Sequence, residues 1–371
     1  GGTGSDTVHT FADPTEAKTY TAVGSSHSYQ STVEDPGEDG QQRTVRQTTQ
    51  TGQIYQGDAT TVRNSNLTIA YDPRDAIFNV SFTNGLAGTS GASRFQDFGG
   101  AVEPQFGTPD LASDMWGIPG VQYLESGSLS NVAQARPVVG GPDEFLFNLI
   151  DQTEAGSYDS TTFFYQLPGT DTQYVTFAGY LRNTASVTYD FDTALTTQVS
   201  TLERGAFAYG QITSNDAVPT SGTGTFDGTM LATMVFNDQP DITGNLDTYM
   251  QWIAGSASTS VNFGANTFSL SLDGSVGAPM FDGTSGQQSV LEGAKFFANG
   301  GGDINLVSAG GFFGQFNEAW FVNPNNTRLD LVIAGSSING AFYGPKAQEV
   351  GGGYRIVGGT PDERIDILGT F

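Results

Sequence analysis

The chain has no cysteine and only two histidines, His9 and His27. Without cysteine there are no disulfides, no thiolate metal sites and no cysteine nucleophile. Two histidines, both near the N-terminus, leave no Ser-His-Asp arrangement and no His-rich metal site to assign. Cations are scarce too: 14 Lys and Arg stand against 39 Asp and Glu, a net charge of −25. Such a chain cannot neutralise phosphates along a nucleic acid, and it would be repelled by an anionic lipid surface. No apolar run approaches the roughly 18–20 residues that a membrane-spanning helix needs.

What is present is aromatic and strand-forming. Hydrophobic residues make up 37% and aromatics 12%, with 26 Phe and 14 Tyr, enough to pack a core and too many for a disordered acidic chain. Only 14% of residues are charged, so solubility rests on hydroxyls, amides, glycine and net repulsion. Phe78, Val80 and Phe82 alternate with Asn79, Ser81 and Thr83. The same period of two recurs at Val187, Tyr189 and Phe191, and at Phe268, Leu270 and Leu272. It returns at Tyr354 and Ile356 and at Ile365 and Ile367. Period two over short runs reads as half-buried strands. No stretch of a dozen residues carries a capped period of 3.6, although 291–297 has room for a short helical turn. The expected class is all-β.

Residues 1–50 are the most polar, and Glu34, Asp35, Glu38 and Asp39 cluster there as a solvated loop. Segment 99–125 is a poor strand, because Pro104, Pro109 and Pro119 interrupt it. Yet it carries Phe106, Leu111, Met115, Trp116, Ile118 and Tyr123, an apolar surface that must pack on something. It either folds over its own domain or faces a partner. After Arg204 the punctuation changes. Gly222, Gly228 and Gly274, and Gly351, Gly352 and Gly353, recur between apolar runs and read as turns joining short strands. That is the pattern of an up-and-down barrel, whose closure removes sheet edges. The expected division is a β-rich unit over 1–203 and a closed antiparallel barrel over 204–371.

The end of the chain reads Gly340-Ala341-Phe342-Tyr343-Gly344-Pro345-Lys346-Ala347-Gln348-Glu349-Val350-Gly351-Gly352. This pattern, G-x-F-Y-G-P-x-A-x-E-x-G-G, resembles the last strands of the transferrin-binding protein B-like β-barrel surface lipoproteins of Gram-negative bacteria. Tyr209-Gly210, followed by the run from Val218 to Phe226, is similar to the family's opening barrel strand. Phe164-Tyr165-Gln166-Leu167-Pro168-Gly169, with Gln173 to Tyr180, resembles the strand pair leading into the barrel in solute-binding members. The resemblance covers about 145–371 and implies a handle domain beside a barrel of about eight strands, here as a single lobe. It implies a position on the outer face of the outer membrane, held only by an N-terminal lipid. The start Gly1-Gly2-Thr3-Gly4, without Met, fits a tether behind a lipidated cysteine. The implied work is to bind a nutrient ligand or its carrier protein and pass it to a TonB-dependent outer-membrane receptor.

The motif also has a physical reading of its own. Phe342 points into the barrel and Tyr343 to its rim. Gly344-Pro345 stops the strand, Lys346 to Val350 form one helical turn, and Gly351-Gly352 supply a left-handed stop. Glu349 then accepts backbone N–H groups in that corner.

No residue is assigned to catalysis, and no enzyme activity is expected. No carboxylate pair stands out by spacing, and no G-x-S-x-G elbow precedes a helix. Gly300, Gly301 and Gly302 lack a following Lys-Ser/Thr and read as a β-turn. Asn237, Asp238, Asp241 and Asp247 offer oxygens without a calcium-loop pattern. His9 and His27 read as exposed or tether residues rather than haem ligands, so no metal or cofactor is assigned. For partner binding two aromatic surfaces compete. One is the 99–125 segment with Phe106, Met115, Trp116 and Tyr123. The other is the barrel rim with Phe313 and Trp320. The segment is preferred, because strand alternation does not account for its apolar residues. The alternative function is a structural or self-assembling cell-surface component.

Overall fold

The computed structural model describes residues 15–36, 47–51, 60–62, 67–72, 77–83, 90–96, 121–130, 156–166, 172–190, 192, 195–237, 248–277, 289–307, 310–360 and 363–371. The N-terminal half holds β1 (Lys18–Thr21), β2 (Val23–Pro36), β3 (Gln47–Thr51), β4 (Thr60–Val62), β5 (Leu67–Asp72), β6 (Ile77–Thr83) and β7 (Ser90–Gln96). It continues with β8 (Val121–Ser130), β9 (Gly156–Gln166), β10 (Val175–Asp190) and β11 (Leu195–Gly210). The C-terminal half holds β12 (Thr223–Asn237), β13 (Thr248–Asn262), β14 (Thr267–Val276), β15 (Lys295–Asn305) and β16 (Gly311–Val322). It ends with β17 (Arg328–Asp330), β18 (Val332–Tyr343), β19 (Glu349–Thr360) and β20 (Glu363–Thr370). One 3-10 turn, Asn215–Ala217, is the only helical element among the described residues, and no helix there is long and apolar enough to cross a membrane.

The chain is all-β, as its periodicity predicts, and its strands form three layers. A four-stranded sheet has the order β1-β5-β6-β7. A second sheet, β3-β2-β11-β10-β9-β8 with β4 beside β2, lies next to it. Tyr20 and Ile69 of the first sheet pack on Phe163, Tyr165, Tyr180, Phe207 and Tyr209 of the second. The third layer is the barrel. Its strands run β15-β14-β13-β12-β20-β19-β18-β16, and β15 pairs with β16 to close an eight-strand ring, with short β17 added beside β16. β11 crosses residues 203 and 204 without a break and pairs with β10 and β2 along its length.

Side-chain alternation decides what fills the ring. In β14, Phe268, Leu270 and Leu272 point inward while Ser269, Ser271 and Asp273 are exposed. Phe312 touches Phe268, Phe342 and Phe371 across the interior, with ring centroids at 4.7, 5.3 and 6.4 Å. A bulge lies opposite Asn299 and Gly300: Glu318 pairs with the first and Phe316 with the second, so Asn317 is extra. The extra residue flips the parity of β16, which lets Phe316, Ala319 and Phe321 all face inward. The interior is a packed core rather than a lumen.

Several sequence expectations change here. Gly300, Gly301 and Gly302 are not a turn but the middle of β15. Gly228 and Gly274 sit inside β12 and β14, and Gly351, Gly352 and Gly353 inside β19. Composition cannot separate a glycine that bends the chain from one that clears space for a neighbour. Within 291–297 there is no helical turn: 291–294 form a turn with Gly293 at φ 80°, and β15 begins at Lys295. Glu34 and Asp35 are not loop residues but the end of β2, paired with Thr197 and Thr196. The rest of the acidic cluster lies outside the described residues, as does Phe191.

Candidate functional site

The seven-stranded sheet lies against one side of the barrel, and the join between them is the most constructed part of the molecule. Beneath the sheet, the barrel strands are covered on both faces. In β12 the outward residues Thr225 and Asp227 are exposed, but Leu231, Thr233 and Val235 further along the same face are buried. β19 and β20 are buried almost throughout, including Arg355 and Asp366. Alternation around Tyr354 and Ile365 suggested strands with one wet face. That face is covered by β2, β10 and β11 instead.

Three devices hold the join. The first is clearance. Gly353 lies against Gly24 and Ala206, where an added Cβ would come within 2.6 Å of the Gly24 Cα and 2.5 Å of the Ala206 oxygen. Only glycine permits backbones this close.

The second is a buried ionic cluster. Arg204 of β11 donates from Nη2 to Asp366 Oδ1 at 2.7 Å. From Nη1 it donates to the Thr233 carbonyl oxygen and to Thr233 Oγ1, both at 2.9 Å. His27 of β2 places Nε2 3.5 Å from Asp366 Oδ2. His27 was expected to be exposed, and it is 2% accessible. Ser25, on the same face of β2, is small enough to be buried with it against the barrel, while Ser26 is buried on the opposite face beside Tyr180. His9 lies outside the described residues.

The third device is the terminal motif. Glu349 accepts three backbone N–H groups: Gln173 on Oε1 at 2.6 Å, and Tyr174 and Val175 on Oε2 at 2.8 and 3.0 Å. The carboxylate does accept backbone donors, as the sequence predicted, and those donors are the first residue of β10 and the two before it, about 175 residues earlier. Charge-assisted bonds of this type are among the stronger ones available. Phe342 faces the core. Tyr343 does not face the rim; it packs on Val23, Val175 and Ala208 at the join. Residues 344–347 form a turn, not a helical one, and its left-handed positions are Gly344 (φ 89°) and Ala347 (φ 58°), not Gly351 and Gly352. The linker after β11 is stitched to this turn. Thr213 N donates to the Phe342 oxygen, and Gly344 N to the Gln211 oxygen, each at 2.8 Å.

Where the covering sheet ends, a cleft of about 300 Å³ opens at the join. Val175, Phe226, Val350 and Phe371 supply apolar wall, and Thr176, Thr259 and Asp227 supply oxygens. Among the described residues no Lys or Arg lines it. Its chemistry suits a neutral or cationic small molecule. Among the described residues no group of three or more His, Asp or Glu is placed to hold a metal.

Of the sequence-predicted partner residues, Phe106, Met115 and Trp116 lie outside the described residues. Tyr123 belongs not to a loop but to β8, an edge strand of the seven-stranded sheet, opposite Phe164. Phe313 is 42% exposed on the outer wall of the barrel. Trp320 is half-buried on that wall, stacked on Phe297 with centroids 5.2 Å apart and covered by Arg328 at 4.6 Å. Tyr123 is therefore on a different sheet from Phe313 and Trp320. Sequence reading missed the join itself. The available signals were single charges inside apolar runs: Asp366 between Ile365 and Ile367, and Arg204 just before Phe207 and Tyr209.

The fold and the join define a two-part β protein, a sheet-built handle locked to a closed barrel. No protein-family model and no curated protein matches the sequence. Among solved structures the chain is similar to transferrin-binding protein B. A mutant of that vaccine antigen from Haemophilus parasuis Hp5 is 11% identical, with 94% of this chain and 75% of that one covered and a TM-score of 0.29. A double mutant of the same antigen is 12% identical, covering 96% and 76%, with a TM-score of 0.27. Intact Ap-TbpB, with N and C lobes, is 10% identical, covering 96% and 78%, with a TM-score of 0.28.

Proposed function

We propose that this protein is a non-enzymatic lipoprotein on the outer face of the outer membrane. It binds a nutrient ligand or its carrier protein and cooperates with a TonB-dependent receptor. The observation that supports this reading is the terminal motif. The residues that resemble the surface lipoproteins form the tie between handle and barrel, with Glu349 spanning the two. A scaffold locked in this way holds recognition segments in fixed positions and leaves its covered faces unavailable for chemistry. Segment 99–125, with Phe106, Met115 and Trp116, is the proposed partner-facing element, and the cleft at the join is the proposed seat for a small solute. The high negative charge steers cationic partners and keeps copies apart.

The test is affinity purification from native membranes, paired with protease shaving of intact cells. Recovery of a TonB-dependent receptor, together with loss of the protein on shaving, is the expected result. Changing Met115 and Trp116 together to Ala should reduce partner capture at least tenfold, about 1.4 kcal/mol. Ordered polymers of the protein alone, without receptor, would overturn this reading in favour of a coat or fibre component.

A further inference from the structure

A second groove, of about 400 Å³, runs across the outer wall of the barrel over β12 to β16. Its floor is made of short side chains, Ser256, Ser258 and Ser271, with Gly228 beside them. Its end wall is an aromatic pair. Phe297 stacks on Trp320 at 22° between the ring planes, and the Arg328 guanidinium lies over the indole. On the other side, the neighbour of Phe297 across the sheet is Asp273 of β14. Arg328, Trp320 and Phe297 thus form a stack whose last ring turns its free face over Asp273, into the groove. Polar groups line the groove from that face outward: Asp273 beside it, Asn299 on the same strand, the serine hydroxyls across the floor, and Asp227 at the far end. Asp227 Oδ1 accepts from Ser258 Oγ at 2.6 Å, and Asn299 Nδ2 donates to Glu318 Oε1 at 2.8 Å, so both side chains are held in one orientation.

We propose that this groove binds a neutral saccharide chain. A pyranose ring has one apolar face of C–H groups and a rim of hydroxyls. The open face of Phe297 matches the first, and paired acceptors and donors match the second. A cation fits less well. The indole, the better ring for holding a cation, is already covered by the chain's own Arg328. The carboxylates do not converge either: Asp227 and Asp273 stand on strands two spacings apart, roughly 10 Å. Among the described residues no Lys or Arg lines the groove, so sugars bearing carboxylate or phosphate gain no partner from them. From Asp227 on β12 to Phe297 on β15 the floor spans three strand spacings, roughly 14 Å, which suits an extended chain of rings rather than one ring.

Maltohexaose and cellohexaose are the probes, titrated into the full chain by calorimetry and by tryptophan fluorescence. With Trp116 changed to Phe, Trp320 reports from the groove wall, whereas Trp252 is buried with Phe164 against it. Binding of at least one probe is expected, changing less than about twofold between 0.05 and 0.5 M salt. Phe297→Leu keeps apolar bulk, removes the ring face, and should weaken binding about tenfold. If that variant fails to fold, Ser271→Tyr, at an exposed strand position, should block the groove equally well. No binding of either probe up to about 10 mM overturns the assignment. So does binding unchanged by both variants. Salt-sensitive binding of spermine or hexalysine in place of the sugars overturns it too, and marks a cation site. Receptor recovery does not depend on any of these outcomes, so this groove and the capture reading stand or fall separately.

Discussion

Replacing Asp366 by Ala should loosen the handle from the barrel. Asp366 is fully buried, and Arg204 is 1% accessible. Removing the carboxylate leaves a guanidinium with its two bonds to Thr233 and a long 3.5 Å contact to the residue 366 carbonyl oxygen, and it takes away the acid that neutralised it. Among the described residues its Nε has no hydrogen-bond partner to share the burden. Orphaning one member of a buried ion pair costs about 3–5 kcal/mol, because the remaining charge keeps its desolvation penalty and loses its compensation. With a urea slope of about 3 kcal/mol per M, the transition midpoint should fall by roughly 1–1.7 M. Hydrogen exchange locates the effect. Amides of β2, β11 and β20 should exchange faster, while those of β14 and β15, on the far side of the ring, should not. Replacing the pair together, Arg204→Met with Asp366→Leu, should recover most of the loss, since apolar groups of similar volume carry no desolvation penalty. A loss below about 1 kcal/mol for Asp366→Ala would refute the reasoning, because it would mean that water reaches the cluster.

Gly353→Ala should destabilise by about 1–3 kcal/mol, since the new methyl meets backbone of both Ala206 and Gly24 and the sheet must lift; urea titration checks it. Glu349→Ala should cost about 1–3 kcal/mol and speed exchange at Gln173, Tyr174 and Val175, whereas Glu349→Gln, still an acceptor, should cost less. The protein should also unfold steeply in alkali. Burial pushes the phenols of Tyr180, Tyr209 and Tyr354 above their ordinary value of 10.0, and for Tyr180 the Glu203 charge adds to it. Above about pH 10 the unfolded chain loses these protons while the folded chain keeps them, so stability falls as pH rises, by about 1.4 kcal/mol per unit for each phenol. Urea midpoints at successive pH values should show this, and Tyr354→Phe should flatten the slope by up to about 1.4 kcal/mol per pH unit.

The sequence disclosed those parts of the fold that face water on one side. Phe268, Leu270 and Leu272 were legible as a strand because Ser269, Ser271 and Asp273 really are exposed. The same rule misled at Asp366, because its face of β20 meets β11 and not solvent. A period of two says which residues share a face; it does not say what covers the other face. His27 was hidden for a related reason. A serine-rich strand looks wet, but small hydroxyl residues also pack flush against a glycine ladder, and Gly353 provides one. Glu349 was legible as a carboxylate bonded to backbone because glycine and proline around it form a tight corner. Its actual donors were not, since nothing local points to a segment about 175 residues away. The aromatics of 99–125 were singled out for lacking a period, and that criterion found Tyr123 where a strand in fact exists.

The chemistry of the join bears on what the rest of the surface can do. An apolar interface tolerates sliding, because any register buries similar area. This one does not. A small shift separates Arg204 from Asp366 and Thr233, and it draws Glu349 away from three N–H groups at once. Each displaced group would remain buried and unsatisfied, so only one docking geometry is low in energy. The cleft opens where this cover ends, the outer groove lies on the uncovered wall, and the two share Asp227, Gly228 and Ala257 as lining. The cleft at the join and the outer trough are therefore held at a fixed distance along one strand pair, β12 and β13. A ligand long enough to occupy both would meet a rigid template instead of having to order two mobile parts, and rigidity of that kind lowers the entropy lost on binding.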